Sequence, residues 1–361
     1  MTSPARNAEA DRAAVAFQVA LGQIGAGTID EAFRLWEGVP AAGRVLTAGA
    51  WLRRAVTMVM TRRRMSRDLA RAYYRLARAL RTGTTVADPY HPEPTYITLD
   101  VLRREFADLA GVAEGPQEGR ASESGPNAPE SSSPAASGAS VEAGEELDDE
   151  EADRILVEEL EGLRAAEEQI EREAEEELKT VLQALGTANL QQRVDAIDGA
   201  RSADEVDELR EEAHRQAGAQ HAAAAERVAM NGGRSTVWNH TSRDRRAIGY
   251  IRLSRSGTPC GWCAMLISRG PVYRSKASAT YADGDKYHDN CHCYAEPVFS
   301  REQYQNSSAY ELNRRYEELW PKVTRGLSGK AALAAWRRFI RQEQKAAALE
   351  ARRPIASVQE A

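Results

Sequence analysis

All four cysteines of the chain lie between Cys260 and Cys293, as a Cys-x-x-Cys turn followed by a His-x-x-Cys-x-Cys run that begins at His288. Thiol and imidazole groups clustered in this way suit metal ligation, disulfide bonding or thiol chemistry. Zinc takes four nitrogen or sulfur ligands in a tetrahedron, and a two-residue gap lets both thiolates of the turn reach one ion. One ligand set is Cys260, Cys263, His288 and Cys291. Others place Cys293 in the position of His288 or Cys291. These ligands outnumber the coordination positions, so the set stays open, and the expected cofactor is one structural zinc ion. Three alternatives stand beside it. Cysteines pack as small buried hydrophobes, a redox pair needs a thioredoxin-like context that is not evident here, and disulfides need an oxidising compartment for which no signal peptide speaks.

Catalytic uses of the same residues fit less well. A cysteine protease would pair Cys260 or Cys263 with His288 or His240, yet four crowded cysteines suit ligands better than a lone nucleophile. A serine protease has only His91 to draw on before residue 113, and there is no Gly-x-Ser-x-Gly turn. Pro259-Cys260-Gly261-Trp262-Cys263 matches half of the zinc-deaminase signature, but His240-Thr241-Ser242 lacks the glutamate that moves the proton. No catalytic residue is assigned.

The elements that must carry these residues read as an α+β fold, mostly α-helical, with a small antiparallel sheet and a Cys/His knuckle in the C-terminal half. Residues 247–253, 270–273 and 294–299 are the strand candidates. Upstream, Phe17, Leu21 and Ile24 recur at helical spacing, and Thr28 is expected to open a short helix ended by Gly38-Val39-Pro40. Between 48 and 81, Leu52, Val56 and Val59 form one stripe. Leu69, Tyr73, Leu76 and Leu80 form a second, with Ser66 as its cap and Gly83 as its stop. A short helix is expected over 99–109. A long acidic helix is expected to carry Leu156, Leu160, Leu163, Ile170, Leu178, Leu182 and Leu185 and to stop at Gly186. Ser202 opens another through a capping box, closed by Asn231-Gly232-Gly233. Helices over 304–320 and 328–352 follow, the last pinned by Trp336, Phe339 and Ile340.

The net charge of −6 conceals an asymmetry. Arg53, Arg54, Arg62, Arg63, Arg64, Arg67, Arg71, Arg75, Arg78 and Arg81 crowd one helical stretch. The first six could contact the phosphates of DNA. The stretch could equally dock on the acidic helix of the same chain, on an acidic protein, or stay solvated. Residues 113–143 hold almost no bulky apolar side chains and cannot offset the entropy of ordering. The expected division is a basic helical domain over 1–112, an acidic Ser/Gly/Pro-rich linker over 113–148, a helical region over 149–232 and a motif-bearing α+β unit over 233–361. No apolar run is long enough to span a bilayer.

The segment from Thr236 to Phe299 resembles the motif region of the phage Mu F-type minor head proteins. Pro259 to Met265 carries the Cys-x-x-Cys part, Ser268-Arg269-Gly270-Pro271-Val272-Tyr273 follows, and Tyr287 to Cys293 carries the ending. It looks most like the actinobacteriophage version, which has an Arg-rich segment like Arg243-Asp244-Arg245-Arg246. Asp289 and His292 stand where many members have proline and arginine. The resemblance implies a virion-head protein, made in the host cytoplasm and acting near the portal in head assembly. Its implied partners are the portal, scaffold or major capsid protein, with a capsid maturation protease as the alternative role.

Overall fold

The computed structural model describes residues 3–41, 48–111, 153–197, 202–254, 259–271, 291 and 293–351. Three long helices form its centre: α1 (Pro4–Trp36), α2 (Ala48–Thr82) and α6 (Ala203–Arg243), each packed on the other two. Ser3 caps α1 by accepting from Arg6 N, and a proline occupies the first turn, where its missing N–H costs nothing. The helix buries Phe17, Leu21 and Ile24 on one face, as their spacing requires. It does not break at Thr28. That hydroxyl is buried and donates back to Ile24 O at 2.7 Å, and the helix runs on to Trp36.

The crossing of α2 and α6 explains two further departures. Ser66 lies inside α2, fully buried, and its hydroxyl reaches Ala229 O at 2.5 Å and accepts from Gly233 N at 3.0 Å. A Cβ on Gly232 would lie 2.3 Å from Arg63 O. The serine and the glycine pair therefore mark close backbone approach between two continuous helices, where a cap and a stop were expected. Ser202 does open α6 through a capping box with Glu205.

A three-stranded sheet lies at the end of α2. It comprises β1 (Thr84–Val86), β2 (Tyr96–Thr98) and β3 (Arg154–Glu158), with β3 in the middle, parallel to β1 and antiparallel to β2. Between β2 and β3, α3 (Leu99–Ala110) ends on the left-handed Gly111. The helix expected over Leu156 is thus a strand, since Ile155, Leu156 and Val157 find partners on both edges. Helix starts only after Gly162 (φ +67°), as α4 (Leu163–Gln183). Gly186 does not end it. A π-turn over 184–188 leads into α5 (Asn189–Asp195), and a Cβ on Gly186 would meet the Trp51 ring at 2.6 Å.

The arginines of α2 are largely internal. Arg63, Arg71, Arg75 and Arg78 are buried. Arg63 pairs with Glu171 at 3.0 Å, Arg71 with Glu167 at 3.6 Å, Arg75 with Glu105 at 2.8 Å and Arg78 with Glu158 at 2.6 Å. Arg62 pairs with Glu31 at 2.9 Å and Arg67 lies 3.9 Å from Glu171. The acidic face of α4 thus meets the basic face of α2, the intramolecular docking that the charge pattern allowed. A continuous basic surface is not what α2 presents, because buried guanidiniums persist only when paired. Arg53, Arg54 and Arg64 remain exposed.

The C-terminal half adds β4 (Gly249–Ser254) and β5 (Cys293–Val298), antiparallel with Ser254 opposite Cys293. Around them lie α7 (Gly261–Ile267), α8 (Arg301–Asn306), α9 (Glu311–Val323) and α10 (Gly329–Ala351). The helix expected over 304–320 breaks at Ser307, whose hydroxyl accepts from Ala309 N. Residues 270 and 271 are not strand, and 272–273 lie outside the described residues. Trp336 and Ile340 are fully buried and hold α10 down. The mostly helical α+β class, with the cysteines beside a small antiparallel sheet, is as expected. One apolar core joins Phe17, Leu80, Phe106, Ile155, Val237, Ile251, Leu266, Val298 and Trp336. It therefore includes side chains from both sides of the 113–148 segment, which lies outside the described residues, and the boundary expected at 232/233 falls within α6. No described helix is long and apolar enough to cross a membrane.

Candidate metal centre

The cysteines meet where α7 and the β4–β5 hairpin pack together. Cys260 is extended and is the N-cap of α7, its Sγ accepting from Cys263 N at 3.4 Å. One turn on, Cys263 faces inward with Ala264, Leu266 and Ile267. Cys291 and Cys293 lead into β5, and both are buried. The Sγ atoms of Cys263, Cys291 and Cys293 all lie within 4.8 Å of one another, so these three could hold a metal ion. Cys263 and Cys291 Sγ are 3.5 Å apart. Cys260 is exposed at the edge of this group. His288 lies outside the described residues, as does His292.

The three thiols are close enough to hydrogen-bond with one another. Hydrogen bonds to Cys260, Cys291 and Cys293, together with burial, push the Cys263 thiol up. Hydrogen bonds from Cys263 and Cys293 hold Cys291 well below the ordinary thiol range, helped by the charges of Arg234 and Arg252. Arg252 Nη1 approaches Cys263 Sγ at 3.7 Å, and Arg234 Nη2 donates to Cys291 O. Both arginines are buried. Sequence reasoning missed them. The available signal was a charge at Arg252 between the apolar Ile251 and Leu253 of β4, since a buried charge needs a partner.

The histidines considered for catalysis lie elsewhere. His240 is fully buried on α6, with Nδ1 2.9 Å from Thr236 O, and burial lowers its pKa to about 3. Its ring stands 5.0 Å from that of Tyr74 and 3.7 Å from Glu167. His91 is exposed beside Asp88. Among the described residues, the close-packed group at the cysteines contains no histidine.

A family model described as VG15 protein matches residues 200–319. VG15 is a viral protein family. The match runs from the start of α6 into α9 and so includes β4, α7, β5 and all four cysteines, about a third of the chain. No curated protein and no solved structure matches the chain.

Proposed function

We propose that the chain is a non-catalytic minor component of a tailed-phage head, acting near the portal during head assembly and held in its C-terminal half by one structural zinc ion. The observation that carries this reading is the viral VG15 match over the segment that holds the cysteine cluster. The residues from Pro259 to Cys293, which resemble the Mu F-type motif, add the head-protein assignment. A closed cysteine cluster suits a structural metal, whose binding energy becomes folding energy. The partners are the portal, scaffold or major capsid protein, and the site of action is the virion head.

DNA contact, in this reading, falls to the exposed part of α2 at Arg53, Arg54 and Arg64. Arg62, Arg63 and Arg67 are already engaged with Glu31 and Glu171.

The test is incubation of the purified chain with capsid precursor and portal. The chain should associate with the portal-bearing assembly and leave the precursor intact. Specific cleavage by the wild type, lost in a variant with an unchanged Tm, overturns this and makes the protein a maturation protease.

A further inference from the structure

Helix α1 is apolar on two faces. Phe17, Leu21 and Ile24 pack inward. On the other side, Val15, Val19, Gly22, Ala26, Ile29 and Phe33 follow one another at steps of four, three, four, three and four residues. At 3.6 residues per turn these positions lie within about 40° of a common direction. Val15, Val19 and Phe33 are 54%, 48% and 40% exposed. Ala26 is exposed too, and Gly22 and Ile29 are half-buried. Alternating steps of three and four are the seam of a helix that packs along another helix. Beside the seam, Gly22, Ala26, Ile29, Met230 and Tyr294 line a groove of about 200 Å³, room for an apolar side chain from outside.

We propose that this seam binds α1 of a second copy of the chain, the two helices antiparallel about a two-fold axis level with Ile24. The spacing carries the choice of occupant, because it reads the same in both directions. About that axis Val15 faces Phe33 of the second copy, Val19 faces Ile29 and Gly22 faces Ala26. Each apolar position thus meets an apolar one, which is the self-complementarity a two-fold contact requires. The small residues fall together at the centre, where a glycine lets the two backbones come close.

Charge fits the same register. Arg12 and Glu37 are both exposed and flank the two ends of the seam on one side. In the antiparallel pair Arg12 comes within one residue's rise, about 1.5 Å, of being level with Glu37 of the second copy. The two-fold axis makes that contact twice. A parallel pair would instead set Arg12 against Arg12 and Glu37 against Glu37. DNA would need cations along the seam for its phosphates, and the six positions carry none.

The experiment is sedimentation velocity of the full chain, reduced, over a range of concentrations, with the Tm of every variant measured alongside. The wild type should pass from monomer to dimer as its concentration rises. Val19→Glu should stay monomeric where the wild type is dimeric, with an unchanged Tm, since Val19 lies at the monomer surface. Val101→Glu, at an exposed position of α3, should dimerise like the wild type. Arg12→Glu should weaken the dimer about two- to fivefold for each of its two contacts, and Arg12→Glu combined with Glu37→Arg should restore it. A wild type that is monomeric at every concentration overturns the self-pairing. If Val19→Glu then also loses association with the portal-bearing assembly, the seam belongs to a different protein. A dimer indifferent to Val19→Glu overturns the surface, and a double reversal that restores nothing overturns the antiparallel register. Each of these outcomes leaves the head-protein reading standing, since that is tested separately with capsid precursor and portal.

Discussion

Arg78 on α2 and Asp244 at the end of α6 form a fully buried ion pair, Nε to Oδ2 at 2.6 Å. Tyr74 donates to the same carboxylate at 3.0 Å, and Arg78 reaches Glu158 of β3 with its other nitrogen. One guanidinium thus ties the first arginine-rich helix to the sheet and to the segment matched by the viral family. Removing one member of such a pair strands a buried charge. Asp244→Ala should cost about 3–5 kcal/mol in urea unfolding. A loss under ~1 kcal/mol would mean that the pair is solvated.

The α2–α6 crossing depends on glycine. Gly232→Ala places a Cβ against Arg63 O and should cost about 1–3 kcal/mol through overpacking. Gly38→Ala, where the nearest atom beyond the two adjoining residues is Leu35 O at 3.6 Å, should stay within roughly 0.5 kcal/mol of the wild type. Equal effects at the two positions would argue against the close crossing.

Glu296 on β5 accepts from Tyr73 at 2.6 Å and Tyr310 at 3.1 Å, and burial pushes its carboxyl up to about 7. Its folded pKa lies above the ordinary 4.5, so the folded state binds the extra proton between these values. Stability from this group falls as pH rises through that window, and the penalty is complete above 7. Glu296→Gln lacks the titration. Its stability relative to the wild type should therefore rise from pH 4.5 to 7, by ~1 kcal/mol per pH unit. His240 and His221 act in the opposite sense. Burial lowers them to about 3 and about 4, so stability held above pH 6.5 is lost as pH falls toward those values. That contribution is common to both proteins and cancels in the comparison. A flat difference across the window would place Glu296 in contact with water.

The sequence alone showed the class of fold and the grouping of cysteines beside a small sheet, because both rest on local pattern. Phe17 with Leu21, the Ser202 capping box and the stripe at Trp336 and Ile340 all read correctly for that reason. It misread Ser66, Gly186 and Gly232, since serine and glycine serve equally at helix ends and where helices touch, and only the partner helix decides. Ile155-Leu156-Val157 looked helical beside acidic neighbours, and its strand partners at Thr84 and Tyr96 are far away in sequence. The arginines of α2 looked like a surface because their carboxylate partners, Glu158, Glu167 and Glu171, lie beyond the 113–148 segment. At the site, convergence of Cys263, Cys291 and Cys293 was among the open sets, whereas Arg234 and Arg252 carry no motif.

Residues 113–148 have the composition of a protease-sensitive segment. Because one core spans both sides, limited proteolysis there should leave two fragments that co-elute as one species on gel filtration and separate only in denaturant. Fragments that elute apart without denaturant would mean that the shared core does not hold in solution.

Membership of a virus head is tested most directly by quantitative mass spectrometry of gradient-purified, DNA-filled heads of the virus that encodes this chain. Peptides from both 3–111 and 153–351 should be present in equal amounts, at a small number of copies relative to the major capsid protein, with capsid processing unchanged when Cys260 is replaced by serine. Absence of the chain from heads at every stage of assembly, with capsid processing that fails without it, would contradict the assignment and make the protein an assembly enzyme.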